Sequence, residues 1–230
     1  MTVIEVFSGS KVLSETAEKI YDQETFTIDV REELEPDLCK DILYINIDDD
    51  VPERFQHPTY THFSPPCDIY SNINSSVNNY SNQFRPNRIK TIRGEAFVQI
   101  SLLMISRLQP KYWTIENPRA GLRTVMKLRK WLSRYGISPY KRDTVTYCQY
   151  GEDRRKPTDI WNNIYSWIPR PMCDKGDNCH QPAPRGSSNG TQGQKDSVAR
   201  SRLPENLCED ILGAIFNPKE KQTKLEEVEA

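Results

Sequence analysis

The 230-residue chain has no apolar run approaching the about 18 residues of a membrane-spanning helix, so no membrane partner is expected. It has no leader pattern either. Val3 to Phe7 runs straight into a strand-type pattern, so the expected location is cytoplasmic and not secreted. Neither sign of charge dominates. Lys plus Arg number 31 and Asp plus Glu 32, a net charge of −1, so net charge supplies no global pull toward nucleic acid. Glycine is sparse where a nucleotide-binding turn would use it. Gly9 stands alone in Ser8-Gly9-Ser10, and the full glycine-rich dinucleotide fingerprint is missing. The six cysteines lie in a long, charged chain rather than a short cysteine-dense one. That argues against a disulfide scaffold and for reduced thiols, a nucleophile or a metal site.

What is present is local. Residues 15 to 53 are acid-rich and residues 85 to 142 are basic, a division that can form one positive face on a neutral protein. Length suits one α/β domain with a small appendage. The pattern predicts a strand at Val3 to Phe7, a helix over Lys11 to Ile20, and strands at Thr25 to Val30 and Thr59 to Phe63. An amphipathic helix follows over Gly94 to Leu108, with Ala96, Phe97, Ile100, Leu103, Met104, Ile105 and Leu108 as its apolar face. A strand at Tyr112 to Ile115, a basic helix from Leu122 to Tyr135, strands near Thr144 to Tyr147 and Asp159 to Asn163, and a helix from Leu203 to Phe216 complete the reading.

Three positions carry candidate chemistry. Ser64-Pro65-Pro66-Cys67 follows an apolar strand directly. Each proline lacks an N–H and has a fixed φ, so the pair makes a rigid arm with a thiol at its tip. That would present a nucleophile above the carboxyl edge of an open α/β sheet. Asp29 ends the second strand about 20 residues after the glycine turn, where a carboxylate meets ribose hydroxyls in this architecture. Glu116-Asn117-Pro118 ends the Tyr112 strand, which would put Glu116 on the same sheet edge as Cys67. Residues 68 to 93 form a long Ser/Asn-rich loop with a basic end, suited to contact phosphates when closed.

The stretch from Pro169 to Arg200 is irregular and holds Cys173, Cys179 and His180. With Cys148 these make a candidate three-Cys, one-His zinc set, although Cys173-x₅-Cys179-His180 is not a standard pair spacing.

Taken in order, Phe7-Ser8-Gly9, the strand ending in Asp29, Asp41-Ile42, Pro65-Pro66-Cys67, Glu116-Asn117-Pro118, the arginines after Tyr150-Gly151 and a closing helix resemble the DNA (cytosine-5) methyltransferases, especially small phage- or virus-type members. The resemblance implies an α/β, Rossmann-like S-adenosylmethionine-dependent methyltransferase fold with a mostly parallel sheet. It implies Phe7, Ser8, Gly9 and Ser10 as the cofactor turn, Asp29 with Val30 at the ribose, and Asp41 with Ile42 bordering the adenine. Pro66 and Cys67 match the catalytic pair, Glu116 the catalytic glutamate, and Arg154 or Arg155 an arginine holding the base carbonyl, with Arg155 the named candidate. Double-stranded DNA is the implied partner, with the target cytosine flipped from the duplex.

The chain departs from that pattern in three ways. The second glycine of the cofactor turn is absent, the arginine motif is not cleanly present, and the target-recognition region is minimal. Residues 1–163 are expected to be catalytic, 164–202 a reduced recognition insertion, 203–216 the closing helix and 217–230 a charged tail. A short recognition region suggests relaxed specificity or a specificity partner of unknown kind. The rival readings are the same fold acting on cytosine in RNA or a free nucleotide, or a non-catalytic DNA-binding relative. A nicotinamide-dependent dehydrogenase would share the opening strand–turn–helix, but gives no role to Cys67 with Glu116.

Overall fold

The computed structural model describes residues 1–70, 80, 85–174, 176–181 and 197–217. Its seven strands are β1 (Thr2–Val6), β2 (Glu24–Asp29), β3 (Leu38–Cys39), β4 (Tyr60–Phe63), β5 (Tyr112–Pro118), β6 (Lys141–Thr146) and β7 (Pro157–Asn162). They form one sheet in the order β3-β2-β1-β4-β5-β7-β6. The first five neighbours run parallel, while β7 is antiparallel to both β5 and β6. Strand order reverses between β1 and β4, which opens a crevice at their carboxyl ends.

The period-2 alternation of β1 divides its side chains between two cores. Ile4 and Val6 face one layer with Val98, Leu102 and Leu122, while Val3 faces the other with Leu13, Leu207 and Ile211. Burial on both faces explains why the parallel strands read as continuous apolar runs. The first layer is built by α3 (Ile89–Leu108), α4 (Leu122–Arg129) and α5 (Trp131–Arg134), the second by α1 (Val12–Tyr21) and α7 (Glu205–Phe216). The expected closing helix is therefore present as α7. It packs on α1, with the Tyr21 and Phe216 rings 5.8 Å apart and the Tyr21 hydroxyl donating to the Glu209 carbonyl at 3.1 Å.

Several expectations need correction. The helix expected from Gly94 begins at Ile89, so residues 89 to 93 are not loop. Its buried face also differs. Leu103 is exposed, while Gly94, Glu95, Val98, Ser101 and Leu102 are buried. The apolar pattern hid this face because it carries a buried carboxylate, Glu95, paired with Arg129 at 2.9 Å. The single helix expected over Leu122 to Tyr135 is broken by Lys130, whose left-handed φ of 50° separates α4 from α5. The polar stretch 44 to 58 holds a short helix, α2 (Ile47–Asp50), and a 3₁₀ turn, Glu53–Phe55. Of the loop expected over 68 to 93, residues 71–79 and 81–84 lie outside the described residues, as does the tail beyond 217. In the expected insertion, the described residues between β7 and α6 (Ser197–Ser201) contain no helix or strand.

Candidate active site

Adjacent parallel strands bring the thiol and the glutamate together. In the β4–β5 register His62 lies opposite Thr114 and Phe63 opposite Ile115, so both chains emerge side by side at the carboxyl edge. From there β4 becomes the proline arm ending at Cys67, and β5 continues one residue to Glu116. Asn117 Nδ2 donates to the Pro65 carbonyl at 3.0 Å and fastens the arm to β5. The chain after Cys67 is held as tightly. Tyr70 N–H donates to the Cys67 carbonyl at 2.9 Å, and Gly121 N–H donates to the Tyr70 carbonyl at 2.9 Å. Ile69 seats against Gly94 of α3, where a Cβ would overlap its side chain, so this contact requires glycine.

Beneath the arm lies a buried polar chain. His62 Nδ1 is 2.6 Å from Thr114 Oγ1 and His62 Nε2 is 2.8 Å from Ser64 Oγ. Burial pulls the His62 pKa down to about 3, so the ring is neutral at physiological pH. It supports the arm and carries no charge into the cleft.

Cys67 is half-buried at the cleft wall, and its thiol titrates above the ordinary cysteine value. Burial is the main cause and the Glu116 carboxylate adds to it, while the Lys156 ammonium opposes both. Lys156 was not singled out by sequence. Its Nζ lies 3.6 Å from Glu116 Oε1 and donates to the Tyr147 hydroxyl at 3.3 Å, and that hydroxyl donates to Glu116 Oε1 at 3.0 Å. The Lys156 backbone sits at a left-handed φ of 23°, directly before Pro157, a strained position that aims the side chain inward. The available signal was its place at the start of a strand that pairs with the glutamate strand.

The arginines go elsewhere. Arg155 gives its guanidinium to the Cys173 carbonyl, at 2.9 and 3.3 Å, and does not line the cleft. Arg154 is buried and donates to the carbonyls of Ala199, Arg200 and Arg202 at 2.8 to 3.0 Å. It thereby pins residues 200–203, which form one wall of the cleft.

The cleft itself has a volume of about 760 Å³ and is lined by residues 7–10, 28–31, 40–42 and 64–68 together with Glu116 and Lys156. Every expected cofactor residue therefore faces one space: Phe7, Ser8, Gly9, Ser10, Asp29, Val30, Asp41, Ile42 and Pro66. The turn after β1 is shaped by left-handed backbone at Phe7, φ 58°, and Gly9, φ 52°. Gly9 N–H donates to Asp29 Oδ2 at 2.9 Å, which joins the turn to the end of β2. Burial pushes the Asp29 carboxyl up. The Arg31 side chain and the N–H groups of Gly9 and Arg31 outweigh it and hold the group below the usual aspartate value. Asp41 accepts from Arg93 Nη2 at 2.7 Å and from its own neighbour Leu43 N–H at 3.1 Å. The Phe7 ring stands edge-on to Phe97 at 5.8 Å.

Cys148, Cys173, Cys179 and His180 also come together, outside the cleft lining. Their four donor atoms all lie within 4.8 Å of one another.

No family model matches the chain. In sequence it is similar to a Frog virus 3 (isolate Goorha) protein named as a DNA (cytosine-5)-methyltransferase, at 22% identity over 178 residues and 76% of each chain. In fold it is similar to a methyltransferase encoded within an E. coli prophage, with a TM-score of 0.50, 14% identity and coverage of 75% of this chain and 52% of that one. The Entamoeba histolytica methyltransferase EhMeth aligns with a TM-score of 0.49 and 19% identity, over 70% of this chain and 52% of that one. The chain thus spans about half the length of the solved structures it matches.

The fold is the Rossmann-like, mostly parallel α/β fold of the S-adenosylmethionine-dependent methyltransferases. The likeness in sequence is thus to the Frog virus 3 protein at 22% identity, and the likeness in fold to the prophage methyltransferase. S-adenosylmethionine is the cofactor this fold implies, and the residues present fit it. A carboxylate ends β2 beside the turn, and the Ser8 hydroxyl is buried on the cleft wall without a hydrogen-bond partner among the described residues. Among the described residues no helix is long and apolar enough to cross a membrane.

Proposed function

We propose that the chain is an S-adenosylmethionine-dependent cytosine-5 methyltransferase of nucleic acid, a small virus- or phage-type member with DNA as its first substrate. One observation carries the reading: Cys67 and Glu116 leave adjacent parallel strands into the same cleft, locked together by the Asn117–Pro65 hydrogen bond. The name of the Frog virus 3 relative favours DNA. Cytosine in RNA presents the same ring to Cys67, and the assay below separates the two. A non-catalytic relative would have no use for both Cys67 and Glu116.

Carbon 5 of cytosine is too weak a nucleophile to be methylated directly. The Cys67 sulfur adds to carbon 6, forming a C–S bond and moving the ring electron pair toward carbon 5. When bound, S-adenosylmethionine supplies an electrophilic methyl group at the cleft. Glu116 holds ring nitrogen 3 and the amino group and favours the protonated, electron-poor ring. Lys156, rather than Arg155, is the cation placed to stabilise the ring oxygen, and its neighbour Tyr147 steadies Glu116. Water takes the proton from the methylated carbon 5 as the carbon 6–sulfur bond breaks, so Cys67 leaves as thiolate and the aromatic ring is restored. Asp29 takes the ribose hydroxyls of the cofactor, Phe7 and Ile42 flank its adenine, and the turn at 7–10 closes around it. A cytosine inside a duplex cannot reach Cys67, so it enters flipped. Within this chain the insertion 164–202 is the candidate segment for reading sequence, alone or with a partner.

The test incubates the protein with labelled S-adenosylmethionine and, separately, duplex DNA, RNA and free cytidine nucleotides, then digests to nucleosides. Label is expected in 5-methylcytosine from DNA and none from Cys67→Ala. DNA carrying 5-fluorocytosine is expected to give a denaturation-resistant adduct with wild type only. Product from RNA alone would replace the substrate. No 5-methylcytosine from any arm, or equal product from Cys67→Ala, would overturn the mechanism.

A further inference from the structure

The geometry points to a structural zinc ion held by Cys148, Cys173, Cys179 and His180 that clamps the irregular strap 171–181 onto the turn carrying Tyr147. The separations carry this. Cys148 Sγ is 3.1 Å from Cys173 Sγ and 3.6 Å from Cys179 Sγ. His180 Nδ1 is 3.8 Å from Cys173 Sγ and 3.5 Å from Cys179 Sγ. A tetrahedral zinc with Zn–S of about 2.3 Å and Zn–N of about 2.0–2.1 Å has ligand-to-ligand edges of roughly 3.5–3.8 Å. Three of the four separations fall on those edges. The fourth is shorter, yet far longer than the about 2.05 Å of a sulfur–sulfur bond.

The ligands come from three places: the 3₁₀ turn Tyr147–Tyr150, the start of the strap at Cys173, and its end at Cys179 and His180. Nothing in secondary structure explains why they meet, because the described residues of the strap contain no helix or strand. Adjacent ligands at 179 and 180 are awkward on a helix or strand, but an irregular chain can turn both side chains to one point. The set is complete with four protein donors, which is the pattern of a structural rather than a catalytic site. The surroundings suit thiolates. Gln149 Nε2 donates to Cys179 Sγ at 3.5 Å. Cys173 N–H donates to Thr146 Oγ1 at 3.1 Å, and the Arg155 guanidinium lies on the Cys173 carbonyl. Such groups orient the ligands and offset the negative charge that three thiolates bring to a dication.

The position gives the ion a task. Tyr147, next to Cys148, donates its N–H to the Arg155 carbonyl at 2.8 Å and its hydroxyl to Glu116. Arg155 in turn grips the strap at Cys173 and precedes Lys156. The ion therefore ties the strap, whose described residues contain no helix or strand, to the frame on which Tyr147 and Lys156 stand. It also gives Arg155 a role away from the base.

The test uses untagged full-length protein from zinc-supplemented cells. After gel filtration, elemental analysis is expected to find about one zinc per chain. Cobalt-exchanged protein is expected to show the visible bands of a tetrahedral site with thiolate-to-metal charge transfer. Cys173→Ser and Cys179→Ala are each expected to lose the metal and alter the cobalt spectrum, while Cys39→Ser keeps both. Should the ligand variants not fold, the wild-type stoichiometry and cobalt spectrum decide by themselves. A zinc-saturated wild type that retains no stoichiometric metal would overturn the site, as would recovery of a Cys148–Cys173 disulfide from protein quenched in acid. Neither measurement depends on methyl transfer, so failure of one proposal leaves the other intact.

Discussion

The Lys156 ammonium stands 3.6 Å from Glu116 Oε1, with the Tyr147 hydroxyl bonded to both. This trio sets the charge that Cys67 feels. Glu116 pushes its thiol pKa up and Lys156 pulls it down, on top of the larger effect of burial. The two charges must therefore have opposite effects on the thiolate. Glu116→Gln should speed alkylation of Cys67 by iodoacetamide at neutral pH, and Lys156→Met should slow it, each by about two- to tenfold. Mass spectrometry of the Cys67 peptide follows the rate separately from the exposed Cys39 and Cys179. Shifts in the same direction would remove Lys156 from the site.

Asp29 holds the cofactor turn and offers a carboxylate to the cleft. Asp29→Asn keeps the shape but not the charge. Binding of S-adenosylmethionine, measured by calorimetry, is expected to weaken about 10- to 100-fold, the size of a lost charge-assisted hydrogen bond. A melting curve on the same sample separates lost affinity from lost fold. Unchanged affinity would take the ribose away from Asp29.

Arg154 satisfies three carbonyls with one buried guanidinium. Lysine has no such fork. Both Arg154→Leu and Arg154→Lys are expected to cost about 2–4 kcal/mol in urea unfolding. Binding of the cofactor should weaken with them, since the wall at 200–203 loses its anchor. A loss below about 1 kcal/mol in both variants would show that the wall is held by other contacts.

Glu5 is buried under the turn, where its carboxylate accepts from Ser14 N–H and Oγ. Burial raises its pKa from 4.5 to about 7. The folded state thus binds this proton more tightly than the unfolded chain, so its contribution is fully present below the unfolded value and is lost as pH rises from 4.5 to about 7. Glu5→Gln keeps an acceptor for Ser14 and removes the titration. Relative to wild type, the variant should gain about 3 kcal/mol of stability across that interval, read from urea midpoints at stepped pH. Parallel pH profiles for the two proteins would contradict this.

The central residues were legible because their signals are local. A proline pair forbids most backbone shapes, so the arm before Cys67 could be read without a structure. Asp29 ends β2 and Glu116 follows the last β5 residue paired with β4, each after a short apolar run, although β5 itself continues to Pro118 beside β7. The closing helix at 205–216 carries its own periodicity. The buried face of α3 was not legible, because it includes Glu95, whose burial depends on the distant Arg129 and Tyr80. The fate of the two arginines was equally hidden. Nothing in Arg154-Arg155-Lys156 says which cation turns toward the cleft. That depends on carbonyls at 173 and 199–202 contributed by other segments.

The sequence by itself thus determined the α/β class, the strands leading to Asp29, Cys67 and Glu116, and the four Cys and His residues that make a candidate metal set. These follow from periodicity, proline stiffness and side-chain chemistry, which act over a few residues. Tertiary structure alone decided that β4 and β5 are neighbours, that Lys156 rather than Arg155 faces Glu116, and that residues at 148, 173, 179 and 180 share one point. Those are contacts between segments far apart in the chain, set by strand order and by which buried polar groups find partners.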